Sequence, residues 1–177
     1  VNDEEFDIFR TRVRLPATPP KGGKMLLKIA KTHEGARLPA RANPSDAGAD
    51  IFYCAKDVKS EVVRILPKMS TVLPTGIKVE VPHGYMLEVK NRSGMAAKKN
   101  LIVGACVIDS GYSGEIFVNL HNIGHEERAI VSGDKIAQLV LIPVVQWRPA
   151  IVGEDNLYND PLTISNRGEG ALGSTGF

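Results

Sequence analysis

"STVLPTGIKVEVPHGYMLEVKN", Ser70 to Asn91, is the stretch whose reading decides the fold. Ile77, Val79 and Val81 fall on one face of an extended chain, and Lys78 and Glu80 on the other. Proline and glycine punctuate the stretch at Pro74, Gly76, Pro82 and Gly84, so it reads as three short strands joined by turns. The same texture continues on both sides. Upstream lie "MLLKIA", "ADIFYC" and "EVVRIL"; downstream lie "NLIVGACVI", "EIFVNLHN" and "QLVLIPVV", each bounded by Pro, Gly, Asp or Ser. In "EIFVNLHN", Ile116, Val118 and Leu120 share a face. "QLVLIPVV" is apolar on both faces and is expected to lie inside, with Pro143 at its end or at a bulge. Strands and turns at this spacing predict an all-β fold, a jelly-roll-like sandwich or barrel.

One segment departs from the pattern. "SGMAAKKN" after Arg92 carries helix formers and no β-branched residue, which predicts a single short helix starting near Ser93 and ending at Asn100.

The 177 residues suit one domain with tails. Residues 1–24, ending in "TPPKGGK", read as a flexible N-terminal extension. Residues 25–150 form the expected β core, and 151–177 a C-terminal arm with four glycines from Arg167 onward. A net charge of +2 gives no reason to expect stable nucleic-acid binding or a membrane surface. The longest apolar run, around Leu139 to Val145, is too short to cross a bilayer and is broken by Pro143. Cys54 and Cys106 have neither metal-knuckle nor redox-pair spacing, which points to a reducing compartment.

Five segments carry groups that can do chemistry. In "NRSGMAAKKN", Arg92, Ser93 and Gly94 stand at a helix start, where a charge, a hydroxyl and backbone N–H groups can hold a phosphate; a serine N-cap would use the same residues structurally. In "RGEGALGSTGF", Arg167 with Ser174 and Thr175 on a glycine-rich backbone can wrap a phosphate chain, though no Walker loop is present. "VIDSGYSGEIF" puts Asp109 and Tyr112 at a glycine-rich bend. The carboxylate either bonds its own turn or orients and deprotonates a water, with the ring close enough to bear on the same ligand. In "PSDAGAD", Asp46 and Asp50 shape a turn or touch a metal's water shell. In "SGDKIAQLVLIP", Gly133 and Asp134 make a turn, and Gln138, a buried amide, requires a backbone or ligand partner. The four histidines lack zinc-ligand spacing and read as packing or surface residues.

In this order the five segments resemble the motifs of the trimeric dUTPase family. Ala47, Gly48 and Asp50 match A-G-x-D; Arg92, Ser93 and Gly94 match R-S-G; Val107, Ile108, Asp109, Tyr112 and Gly114 match the third motif. Gly133 to Leu139 match the fourth, and Arg167, Gly168, Gly170, Gly173, Ser174, Thr175 and Gly176 the fifth. The resemblance implies a jelly-roll homotrimer, with sites shared between subunits, that converts dUTP and water to dUMP and pyrophosphate with Mg²⁺. It implies that Asp109 activates the attacking water and that Tyr112 packs under the deoxyribose. Main-chain groups of Cys106, Val107 and Ile108 would read uracil, and Ser93 would contact the α–β phosphate bridge. Arg92, Gly94 and Gln138 would line the substrate site, and Arg167, Leu172, Gly173 and Ser174 would close it from a neighbouring subunit's arm. Asp50 would touch the metal's waters while the phosphates hold the ion. A reducing, cytoplasmic setting is implied, or a nucleus or organelle in a eukaryote.

Three departures stand out. Leu172 occupies the place of a phenylalanine that stacks on uracil, which predicts weaker substrate binding. Ala171 replaces a glycine, and Cys106 a glycine at the base-reading hairpin. The sister activity, dCTP deamination, needs a glutamate ten positions past the aspartate. Here that position is Asn119, which cannot serve as a general base.

Overall fold

The computed structural model describes residues 25–157. The described residues form eleven strands, one α-helix and two single-turn 3-10 helices. In chain order the strands are β1 (Lys28–Lys31), β2 (Ala49–Phe52), β3 (Val62–Ile65), β4 (Ser70–Pro74), β5 (Ile77–Glu80) and β6 (Tyr85–Lys90). After helix α1 (Ser93–Lys99) come β7 (Leu101–Val103), β8 (Val107–Ile108), β9 (Phe117–Asn122), β10 (Arg128–Val131) and β11 (Lys135–Pro143). All pairings are antiparallel, in sheets ordered β2-β11-β6-β8, β4-β9-β7, β1-β5 and β10-β3. This is the jelly-roll-like arrangement the alternation predicts.

The predicted faces form the core. Ile77, Val79, Val81, Ile116, Val118 and Leu120 are all buried, while Lys78 and Glu80 face out. Burying each such aliphatic side chain is worth about 1.5–3 kcal/mol, so the period-two pattern also sets the register.

Four expectations are corrected. "NLIVGACVI" is not one strand: the chain leaves the β4-β9-β7 sheet after Val103 and joins β6 in the other sheet at Val107. Gly104 makes the crossing because a Cβ there would overlap the side chains of Asn119 and His121. "QLVLIPVV" is only partly inside. Leu139 is buried, Val140 to Ile142 are half-buried and Val145 is exposed, because no described element covers their outer side; Pro143 ends the strand. β10 was not anticipated, since "RAIV" offers one core residue, Ile130, in a charged neighbourhood. Helix α1 has the expected bounds, with Asn100 closing it in the left-handed conformation (φ 55°). Its N-cap, however, is Arg92 and not the serine.

The described chain falls into two units, one ending at Gln146 and one beginning at Trp147. The described residues of the second, 147–157, contain one 3-10 turn at Glu154–Asn156 and no strand or α-helix. The extension 1–24 and the glycine-rich motif from Arg167 lie outside the described residues.

Candidate active site

The β8 hairpin builds one half of the site. β8 pairs with β6, Leu87 opposite Ile108 and Glu88 opposite Val107, and the chain then turns at Asp109. The Tyr112 N–H donates to the Asp109 carbonyl (3.2 Å), and Gly111 supplies the positive φ of 101° that the bend requires. Asp109 is exposed, and its carboxylate bonds no group among the described residues. The turn is therefore held by main chain, which leaves the carboxylate available. Beside it opens a cavity of about 170 Å³ lined by Cys106, Val107, Ile108, Asp109, Tyr112 and Phe117. Cys106 lies at its wall, and the Cys106 carbonyl accepts from the Val89 N–H (2.7 Å).

The second half gathers the "AGAD", "RSG" and "GDKIAQL" segments. Asp50 on β2 accepts from Arg92 Nε (2.7 Å) through one oxygen and pairs with Lys135 Nζ (2.8 Å) through the other. Burial pushes the Asp50 carboxyl up, but the hydrogen bonds from Lys135 and Arg92 outweigh it and hold the group below its ordinary value. Arg92 also donates to the Lys135 carbonyl (3.3 Å). Arg92, Gly94, Lys98, Lys99, Asp134 and Lys135 line a bowl of about 390 Å³ in which cations outnumber acids. The Ser93 hydroxyl caps nothing, because Ser93 is the first residue inside the helix. Gln138 finds the expected backbone partner, its Nε2 donating to the Asn91 carbonyl (2.8 Å). Gly48 makes room for it, since a Cβ there would overlap the Gln138 amide.

Of the remaining candidates, Asp46 shapes a turn, accepting from the Asn43 N–H (2.8 Å). Gly133 (φ 88°) and Asp134 turn as expected, with Asp134 accepting from the Val131 N–H (3.0 Å). Asn119 is tied to His121 Nε2 (2.6 Å) and to the Thr71 carbonyl (3.3 Å), as a packing amide. Arg167, Leu172, Gly173 and Ser174 lie outside the described residues. Sequence reasoning did not single out Lys135, Lys98, Lys99 or Phe117 as lining these cavities. Lysines scattered along a chain carry no signal until the fold brings them together.

The Asp50 pair gives a prediction with a definite sign. A carboxylate held below its unfolded pKa of about 3.9 contributes stability above that pH, and loses it as pH falls through the lower folded value. Asp50→Asn is expected to cost roughly 2 kcal/mol at neutral pH, less than the ~3–5 kcal/mol for breaking a fully buried pair, because Arg92 and Lys135 both reach solvent. The variant should also lose less stability than the parent as pH falls from about 4 through the lowered folded value. Thermal unfolding across that range checks both statements.

No group of three or more His, Cys, Asp and Glu side chains able to hold a metal occurs among the described residues. An antiparallel jelly roll thus carries a free carboxylate beside a ring at one cavity and a cationic bowl at another, groups able to orient a water and to hold a phosphorylated ligand.

The dUTPase family model matches residues 34–176. The deoxyuridine 5'-triphosphate nucleotidohydrolase of Anaplasma marginale is 38% identical over 159 residues, covering 85% of this chain and 96% of the relative. That of Clostridium novyi is 36% identical over 154 residues, covering 86% and 99%. Among solved structures, the dUTPase of Staphylococcus bacteriophage 80alpha with dUPNHPP aligns with a TM-score of 0.70 at 28% identity, over 87% of this chain and 100% of the other. A dUTPase from phage phi11 of S. aureus, described with a structural Mg(II) ion, aligns with a TM-score of 0.64 at 28% identity, over 76% and 99%. The chain belongs to the dUTPase family, the enzymes that hydrolyse dUTP.

Proposed function

We propose that this chain hydrolyses dUTP to dUMP and pyrophosphate in a site built between copies of a homotrimer. The hairpin of one copy faces the Asp50–Arg92–Gln138 half of a second, and the arm bearing Arg167 and Ser174 closes over both. The observation that carries this reading is the register of β6. Ile108 sits opposite Leu87, so Asp109 continues toward the start of β6, while Arg92 and Ser93 follow its other end at Lys90. Four residues of strand separate those levels, about 13 Å at ~3.3 Å per residue, before the chain reaches Ser93. A water activated by Asp109 and a phosphate bridge held by Ser93 must lie within a few ångströms of each other. On this reading one chain alone leaves them apart, and a closed ring of copies would bring them together.

In this reading Asp109 accepts a proton from the water as it attacks the α-phosphorus. The bond from that phosphorus to the bridging oxygen breaks, and pyrophosphate leaves into the cationic bowl. Cys106, Val107 and Ile108 present main-chain groups to uracil at the cavity wall, and Tyr112 lies under the deoxyribose. When bound with the triphosphate, Mg²⁺ would neutralise charge on the phosphate oxygens. Asp50 faces its waters by sharing oxygens that already accept from Arg92 and Lys135. Residues 25–150 supply the core and 151–177 the closing arm. The role is to limit uracil incorporation into DNA and to supply dUMP for dTMP synthesis. Two free cysteines are compatible with a reducing compartment. No helix among the described residues is long and apolar enough to cross a membrane.

The test offers dUTP, UTP, dCTP and dTTP separately with Mg²⁺, measuring pyrophosphate, nucleoside monophosphate and ammonia. Pyrophosphate and dUMP from dUTP alone are expected. Ammonia from dCTP, or equal hydrolysis of all four, would overturn the reading.

A further inference from the structure

Tyr112 stands in a turn that has little means of holding it. Its side chain is 47% exposed, Gly111 and Gly114 flank it, and a Cβ at Gly111 would meet nothing within 4 Å. Yet the ring has a defined place. Its hydroxyl donates to the Glu115 carbonyl (2.9 Å), and the ring folds back over Gly114, where a Cβ would overlap the phenol. The position of the ring therefore depends on what holds Glu115.

Glu115 is held by the protein interior. Its side chain is only 9% exposed, one oxygen accepts from the Gly76 N–H (2.8 Å), and the other pairs with Lys56. The next residue, Ile116, is 1% exposed. Its N–H donates to the Ile77 carbonyl (2.9 Å) and its carbonyl accepts from Thr75 Oγ1 (2.6 Å), a hydroxyl that is itself buried. Residues 115 and 116 are thus fastened to the β4–β5 turn at Thr75–Ile77 by three hydrogen bonds. Gly76 in that turn has φ 68°, and a Cβ there would press on Ala36 and Cys54, so the anchor point is closely packed. Lys56, the second partner, lies 5.9 Å from the centre of the Phe117 ring, which lines the Asp109 cavity.

An ionised carboxylate buried this far is costly unless its partners are in place. A hairpin that only needed to turn would have no use for one. We infer that Glu115 is a positioning residue: it fixes Tyr112 to the β4–β5 turn and thereby sets how sharply the enzyme separates 2'-deoxyribose from ribose. This rests on the reading of Tyr112 as the surface under the sugar. An extra hydroxyl is rejected by contact with a ring that cannot yield, so discrimination falls if the ring gains freedom, even where the ring is still present.

The experiment compares kcat/KM for dUTP and UTP in the full-length parent, Glu115→Ala and Glu115→Gln. Glu115→Ala is expected to lower the dUTP:UTP ratio by about tenfold, chiefly through a rise in kcat/KM for UTP. Glu115→Gln keeps an oxygen for the Gly76 N–H and should hold the ratio within about twofold of the parent. Loss of both substrates by the same factor in Glu115→Ala would mean a merely structural role and would overturn the proposal, as would an unchanged ratio. Should Glu115→Ala fail to fold, Tyr112→Phe decides the matter, because it removes only the hydroxyl bond to the Glu115 carbonyl. The proposal then requires a reduced ratio, and a parental one sinks it. A parent protein that cleaves dUTP but treats UTP alike would remove the sugar role of Tyr112 itself. One that cleaves neither would remove the hydrolase reading.

Discussion

Asp109→Asn should lower kcat for dUTP by about 10³-fold, within the usual contribution of a positioned general base, while leaving affinity for a non-hydrolysable dUTP analogue within a few-fold of the parent. The amide is nearly isosteric and can still accept a hydrogen bond from the water, but it cannot take the proton. Geometry favours a clean result. The hairpin is held by the Tyr112 N–H to Asp109 carbonyl bond and by the pairing of Ile108 with Leu87, neither of which uses the carboxylate. Stability is therefore expected to stay within about 0.5 kcal/mol, as for other surface substitutions that break no contact. Single-turnover kinetics separates the chemical step from binding. A variant that turns over at the parental rate would take the base role away from Asp109.

The second large effect is a recovery. Arg92→Met removes the guanidinium from the cationic half and leaves the hairpin untouched, while Asp109→Asn does the reverse. Each homo-oligomer is expected to be nearly inactive. Unfolded together in equal amounts and refolded, the mixture should regain about a quarter of parental activity. A site drawing one half from each of two neighbouring copies finds both halves intact with probability about one half times one half. A site complete within one chain would regain nothing. The β6 register, with Asp109 toward the start of the strand and Arg92 beyond its other end, is the reason to expect the former.

Much of the chemistry is legible in the order of residues. Asp109 with Tyr112, the "RSG" segment and the "GDKIAQL" segment were readable because each compresses its parts into a few consecutive positions. The partners that hold those parts were not readable. Asp50 meets Lys135 across 85 residues of sequence, and Glu115 meets Lys56 across 59. No spacing rule reaches that far. Ser93 shows the limit from the other side: its composition suggests an N-cap, yet the helix starts one residue earlier than a capping serine allows, so its hydroxyl is left for other work.

By itself the sequence determined the all-β class, the buried faces of β5 and β9, the single helix with its Asn100 stop, and the family. Each of these depends on side-chain periodicity or on residues adjacent along the chain. Only the tertiary structure decided that β7 and β8 belong to different sheets and that β11 is half-covered. It also separated the acid and the cationic bowl to opposite ends of β6, and tied Tyr112 through Glu115 to a distant turn. Those features depend on which strand lies beside which. Pairing is chosen by the packing of the whole core, whereas periodicity is a property of each strand alone.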